Sequence, residues 1–369
     1  MTTYKSFGAR ADIEAIIADR DAVRTDVPVL QPADPFLDTA GEELRRRIFL
    51  TQSETGQSMC LRPEFTIPVC RLHVDKAANA SRYGYVGTVF RQRQNGASEF
   101  LQAGIEDIGH RDVMAADARS LADARACLTA LNVPANVETL LGDQAVFDAV
   151  LKALGMPSGW RLQLTHAFGD DGALNAALRK LAEPTKMPNL PDDLNAALEH
   201  GNQAEAEALV QGHLVDASLA NAGGRSAAEI TARLMAQLQV TRSAPDAGKL
   251  ETLRQFLNLR VPLIDAAAKL EAFEADNRLD IAEAVTNFAK RNAALVAAGL
   301  DLSTITYDAS FGRPLDYYTG LVYELRTSIG VVLAGGGRYD RLLSLLGANT
   351  PTNGVGFSIW LDRVAEVQS

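Results

Sequence analysis

Between about residue 112 and residue 300 the chain is rich in alanine and reads as successive helices, and strand signals lie on both sides of that stretch. Two strand-bearing segments flanking a helical one fold most simply as one α+β core carrying an α-helical insertion, rather than as tandem domains. The sequence therefore predicts a core from residues 1–111 and 301–369, and a mostly helical region over 112–300 that includes the insertion. Within that region Leu121, Ala124, Leu128 and Leu131 fall at helical spacing. Ile281, Val285 and Phe288 do the same, with Asp280 expected as the N-cap. Pro184, Pro188 and Pro191 break the region into pieces, and Gly223-Gly224 marks a further loop. Beyond about residue 303 the short apolar runs Leu321 to Leu325 and Val331 to Leu333 predict strands. Gly335-Gly336-Gly337 predicts a sharp turn, and a last short helix is expected around Leu361 to Val367.

Several function classes are disfavoured by composition. The formal net charge is −10, whereas a surface that grips tRNA or DNA must be basic to displace counterions from phosphates. The basic run Arg45-Arg46-Arg47 follows Glu42-Glu43 on an expected helix and reads as a solvated, ion-paired face. No apolar run approaches the ~18 residues a membrane span needs, and the Met-Thr-Thr-Tyr-Lys start lacks a signal-peptide pattern. Cys60, Cys70 and Cys127 have no metal-ligand spacing and are odd in number, so a reducing cytoplasm and the absence of a metal are the simplest expectations.

Three segments carry candidate chemistry. In Phe100-Leu-Gln-Ala-Gly-Ile-Glu106, strand alternation sets Leu101, Ala103 and Ile105 on one face and Gln102, Gly104 and Glu106 on the other. The second face offers a carboxamide and a carboxylate flanking an open glycine floor; taken alone, a solvent-exposed strand face accounts for it equally well. In Leu61-Arg-Pro-Glu64-Phe-Thr66-Ile-Pro68, two prolines argue for an extended segment, neither central strand nor helix interior. Glu64 and Thr66 would then point the same way, toward an ammonium group. In Phe311-Gly-Arg313-Pro-Leu-Asp-Tyr-Tyr318, a guanidinium suited to a carboxylate stands close to two tyrosines. Core tyrosines with satisfied hydroxyls are common, so this segment too is weak by itself. The Gly335-Gly-Gly-Arg-Tyr339 stretch lacks the Lys-Ser/Thr of a P-loop.

The set in its order is more specific than any member. Leu-Arg-Pro-Glu at 61–64, Phe90-Arg91, Gln102 with Glu106, Arg313-Pro-Leu-Asp-Tyr-Tyr318, Gly336-Gly-Arg-Tyr339 and Gly356-Phe-Ser-Ile-Trp-Leu-Asp-Arg363 resemble the catalytic core of histidyl-tRNA synthetases. The resemblance runs from about Val27 to the C-terminus, interrupted by the insertion. It implies a class II synthetase-like core: a mostly antiparallel sheet flanked by helices. It further implies that Glu64, Thr66 and Gln102 hold the amino group of histidine, that Glu106 and Tyr318 read the imidazole, that Arg313 faces the carboxylate, and that Tyr339 is a pocket tyrosine. A carboxylate and a phenol hydroxyl suit the two imidazole nitrogens.

Departures from that pattern fall on the nucleotide side. Arg93 stands where the synthetases carry a glutamate that helps to hold ATP, and the following loop is shorter. Trp360 replaces a glycine that lets adenine approach, adding roughly 200 Å² of side chain. Phe65 and Pro314 also replace glycines, while Arg91 and Arg363, the phosphate-gripping positions, remain. No anticodon-binding domain is expected after Arg363. A preserved histidine pocket beside a degraded nucleotide site resembles the ATP phosphoribosyltransferase regulatory subunits. That resemblance implies a non-catalytic chain without cofactors, which does not bind tRNA. It would self-associate as a dimer and join a short catalytic subunit in a hetero-octamer, to activate it and pass on feedback by histidine. The alternative reading is a synthetase-like enzyme that activates an amino acid and transfers it to a carrier.

Overall fold

The computed structural model of this chain describes residues 6–368 apart from 40, 77, 95, 134–135, 183–188, 217–225, 243–246, 314 and 316. Pro184, Pro188, Gly223, Gly224, Pro314 and Asp316 lie outside the described residues. Two compact units result, residues 1–147 with 256–369, and residues 148–255.

In chain order the strands are β1 (Val23–Arg24), β2 (Leu30–Pro32), β3 (Leu50–Gln52), β4 (Ser58–Leu61), β5 (Ser81–Phe90), β6 (Glu99–Ile108), β7 (Glu138–Asp143), β8 (Arg260–Pro262), β9 (Ile305–Asp308), β10 (Leu321–Arg326), β11 (Val332–Arg338) and β12 (Gly354–Trp360). Nine of them form one sheet in the order β1-β5-β6-β12-β11-β10-β7-β9-β8, and β2-β4-β3 form a small second sheet. Within the large sheet β1/β5 and β7/β9 pair in parallel and every other pair is antiparallel. The expected α+β core with a mostly antiparallel sheet is therefore the fold observed.

Glycines 335–337 do not turn the chain. They lie inside β11, paired on one side with β10 and on the other with β12. A Cβ at Gly336 would sit 2.3 Å from the Gly356 carbonyl oxygen, and one at Gly335 would sit 2.8 Å from the Arg313 guanidinium carbon. A sequence reading takes clustered glycines as a turn because it cannot see what packs against a strand from either face. Here they thin a central strand so that other side chains can lie on it.

Leu121, Ala124, Leu128 and Leu131 are all buried; the helix Val113–Ala130 is capped by Asp112, whose carboxylate accepts the Ala115 N–H at 3.0 Å. Ile281, Val285 and Phe288 are buried on and before the helix Ala282–Ala297. Asp280 is not its cap. The capping position is Ile281, which makes no side-chain cap, and its own N–H is taken by Glu274 of the preceding helix at 3.3 Å. The last helix spans Leu361–Val367 as predicted. Arg47 and Glu43 form the expected ion pair at 2.8 Å.

The second unit is all helical among its described residues and narrower than the helical stretch of the sequence. Its helices include Ser158–Ala167, Asp171–Ala182, Asp192–Glu199, Gln203–Asp216 and Ala227–Arg242, with Leu194, Leu198, Val210 and Leu238 buried between them. Pro191 occupies the N-cap position of the helix Asp192–Glu199, without a side-chain cap. Helices Val113–Ala130, Leu263–Asn277 and Ala282–Ala297, with β7 and β8, belong instead to the unit that holds the sheet. Among the described residues no helix is long and apolar enough to cross a membrane, and no group of His, Cys, Asp and Glu is arranged to hold a metal ion.

Candidate functional site

Strand β6 lies between β5 and β12, so both of its edges are paired. Gln102 and Glu106 are each 1% exposed, which removes the reading of their face as an exposed one. A polar strand face buried in this way must find hydrogen-bond partners or face a cavity.

Glu106 finds partners. Thr66 Oγ1 donates to its Oε1 at 2.7 Å, Tyr85 Oη lies 3.2 Å from the same oxygen, and Tyr339 Oη donates to Oε2. Gly356, on the neighbouring strand β12, makes room: a Cβ there would lie 1.8 Å from Oε2. Burial pushes the Glu106 carboxyl up to about 8, against the hydrogen bonds from Tyr339 and Thr66 that pull it down.

In the Leu61 to Pro68 segment strand β4 ends at Leu61, and Phe65, the residue before the next helix, already has a helical backbone. Thr66 begins the helix Thr66–Asp75, with Pro68 in its first turn, where the missing N–H costs nothing. Glu64 caps that helix: its Oε2 accepts the Thr66 N–H at 2.6 Å and its Oε1 the Ile67 N–H at 2.9 Å. Glu64 and Thr66 thus come together through a helix start and not along a strand. Burial raises the Glu64 carboxyl, opposed by these N–H groups and by Arg91. Arg91 is itself lowered to about 10, chiefly by burial, and its Nε donates to the Pro63 carbonyl at 2.7 Å.

Arg313 lies over the glycine floor of β11. Its Nη1 donates to Tyr318 Oη at 2.8 Å and its Nε stands 3.4 Å from Glu324. Burial would lower the Arg313 pKa, but Tyr318 and Glu324 carry it above the usual arginine value. Beside it Trp360, 5% exposed, has the Arg313 guanidinium 5.6 Å and the Arg363 guanidinium 5.0 Å from its ring.

These groups enclose one cavity of about 260 Å³. Glu64, Thr66, Gln102, Arg313, Tyr318 and Tyr339 line it, together with Arg91, Trp360 and Arg363. Two expected site residues do not. Glu106 stands one layer behind Thr66, Tyr339 and Gly356, which do line the cavity. Arg93 is drawn away, ion-paired to Asp362 at 3.3 Å and 3.7 Å from the centre of the Phe100 ring. Gln102 Oε1 and Trp360 Nε1 have no hydrogen-bond partner among the described residues, and the two residues are register partners across β6 and β12.

Sequence reasoning passed over Glu324, Tyr85 and Ser358. Glu324 is a single carboxylate inside the apolar run of β10, a signal that was there to read. Tyr85 reaches Glu106 at 3.2 Å and Ser358 at 2.7 Å, and only the three-strand register of β5, β6 and β12 brings these residues together.

Comparison with known proteins gives the family and the fold. The histidyl-tRNA synthetase family matches residues 23–364. The ATP phosphoribosyltransferase regulatory subunit of Brucella canis is 51% identical over 349 residues, covering 94% of this chain and 93% of that protein. The protein of the same name from Brucella abortus (strain 2308) is also 51% identical, over 94% of this chain and 92% of its own. Among solved structures, an ATP phosphoribosyltransferase regulatory subunit/histidyl-tRNA synthetase from Bacillus halodurans superposes with a TM-score of 0.63 at 19% identity, covering 100% of this chain and 81% of that one. A histidine–tRNA ligase subunit from Alicyclobacillus acidocaldarius gives 0.59 at 23% identity, covering 100% and 95%. At such identities the structural likeness carries the fold, and the sequence likeness carries the family. The chain belongs to the ATP phosphoribosyltransferase regulatory subunit family and is built on the histidyl-tRNA synthetase fold.

Proposed function

We propose that this chain is the non-catalytic, histidine-sensing partner of a short-form ATP phosphoribosyltransferase, at the first step of histidine biosynthesis. One observation supports this most: a single cavity joins Glu64, Gln102, Arg313, Tyr318 and Tyr339, and the Trp360 indole occupies the wall beside Arg313 and Arg363. The first group suits a zwitterionic amino acid. Glu64 and the unpartnered Gln102 Oε1 can accept from an ammonium. Thr66, having given its own proton to Glu106, retains lone pairs and can only accept from it. Arg313 suits the carboxylate, and the tyrosine hydroxyls suit an imidazole. The indole takes space that an adenine would need.

In this reading the chain dimerises and joins the catalytic subunit, in a hetero-octamer, within the cytoplasm. It raises the partner's activity and lowers it when histidine binds. For histidine to inhibit, it must bind the inhibited arrangement more tightly than the active one, since equal affinity shifts nothing. The chain needs no cofactor and does not bind tRNA.

The test pairs co-purification with a short catalytic subunit and calorimetry with L-histidine: a stable complex and saturable binding are expected. Histidine-dependent exchange of pyrophosphate into ATP, at a turnover typical of enzymes, would favour an amino-acid-activating enzyme in its place. Trp360→Gly alone should give no exchange, because Arg93, paired with Asp362, still stands where a nucleotide-holding glutamate is needed.

A further inference from the structure

Behind the sheet from the cavity lies a second buried polar cluster. Asp117, 0% exposed on the helix Val113–Ala130, meets two guanidinium groups. Arg338 Nε and Nη2 reach its Oδ1 at 2.8 Å and 2.6 Å, and Arg291 Nε reaches its Oδ2 at 2.9 Å. Arg291 goes on to pair with Asp143, whose other oxygen accepts the Ala145 N–H at 2.9 Å. A carboxylate so placed holds its arginines in one geometry, because releasing either would leave a charge unpaired in the interior.

Arg338 is the residue before Tyr339, and its hold extends to the residue after it. Arg338 Nη1 donates to Asp340 Oδ1 at 2.7 Å, and the same oxygen accepts the Gly354 N–H at 2.8 Å. The Tyr339 N–H donates to the Gly354 carbonyl at 2.8 Å, and a Cβ at Gly354 would lie 2.5 Å from the Tyr339 ring. Both chain neighbours of Tyr339 and the strand residue beneath its ring are therefore tied, through Arg338, to Asp117. At the far end of that ring the hydroxyl donates to Glu106 at the back of the cavity wall.

We propose that Asp117 is a positioning residue for the amino-acid cavity, acting through Arg338 to fix the Tyr339 ring and hydroxyl against Glu106. Asp117 does not line the cavity and touches no ligand; it sets where a ligand-facing group stands. The inference rests on the reading of this cavity as the histidine site.

Calorimetry with L-histidine tests it on the full-length wild-type chain, on Asp117→Asn, on Tyr339→Phe and on the double variant. Asp117→Asn is expected to weaken binding about tenfold, the effect of one misaligned charged hydrogen bond. In the Tyr339→Phe background the same substitution should change affinity by less than about threefold, because the group it positions is gone. Asp340→Asn loosens the same Arg338 from a more exposed position. It should reproduce the loss and the non-additivity, and it carries the test if Asp117→Asn does not fold. A folded Asp117→Asn that is easier to denature but binds like wild type would overturn the proposal, since the network would then be structural only. A loss of the same size with and without the Tyr339 hydroxyl would overturn it as well. No binding to the wild-type chain would defeat the histidine reading itself and this inference with it.

Discussion

Glu106 and Asp117 are about equally buried, at 1% and 0% exposure, yet their surroundings differ in kind. Asp117 is met by the guanidinium groups of Arg291 and Arg338, so opposite charge answers its own. Glu106 is met by the hydroxyls of Thr66, Tyr85 and Tyr339. Hydroxyl hydrogen bonds offset only part of the cost of burying a carboxylate, and the group rises to about 8. One cluster is complete without a ligand. The other leaves a carboxyl without a cation, behind a cavity whose lining residues Thr66 and Tyr339 it orients. Matched charge makes a frame; a buried carboxyl met only by hydroxyls backs the cavity.

The largest expected effect breaks the frame. Arg291→Ala leaves Asp117 and Asp143 without that guanidinium in the interior and should cost about 3–5 kcal/mol of stability, read from a denaturant midpoint. Burial alone would lower the Arg291 pKa, but Asp143 and Asp117 carry it above the usual arginine value, which is the sign of a cation its partners hold tightly. A change below about 1 kcal/mol would dissolve the contrast between the two clusters.

The next acts on the site. Glu106→Gln should weaken L-histidine binding by up to about tenfold, because Thr66 and Tyr339, which line the cavity, lose the carboxyl that orients their hydroxyls. Stability should move the other way with pH. The folded carboxyl titrates at about 8, above the usual glutamate value, so the folded state holds the proton more firmly than the unfolded chain does. Its contribution is complete below the unfolded pKa and is lost as pH rises through 8. Glu106→Gln cannot ionise, so the stability difference between variant and wild type should grow in favour of the variant from pH 5 to pH 9. Parallel stability curves across that range would contradict the raised Glu106 carboxyl.

The smallest effect is expected at Arg93. It lies outside the cavity, in a partly exposed ion pair with Asp362, and such pairs contribute about 0–1 kcal/mol. Arg93→Ala should leave histidine affinity within about twofold by calorimetry.

How far the sequence reached follows the same division. Alternation along β6 and the order of the motifs marked Gln102, Glu106, Arg313, Tyr318 and Tyr339, because a strand's period and a chain's order survive without coordinates. The depth of Glu106 behind Thr66 and Tyr339 did not survive, since it depends on Gly356 of a strand some 250 residues away in the chain. Gly335 to Gly337 were misread for the related reason that glycine signals a turn locally and a close approach only in three dimensions. Glu64 was placed beside Thr66 for the wrong geometric reason: the helix that starts at Thr66 needs its first N–H groups capped, and Glu64 caps them. The Asp117 network was invisible to sequence. Its members lie on two helices, the end of β7 and the end of β11, and no local spacing joins them.

The most direct measurement of the central claim is phosphoribosyl transfer by a short-form catalytic subunit reconstituted with this chain, while L-histidine is titrated. The account predicts that the wild-type chain raises activity and makes it sensitive to histidine. With Arg313→Ala, activation and co-elution should persist while inhibition requires at least about tenfold more histidine. Equal sensitivity of the Arg313→Ala complex, or inhibition of the catalytic subunit by histidine at the same concentration without this chain, would contradict it.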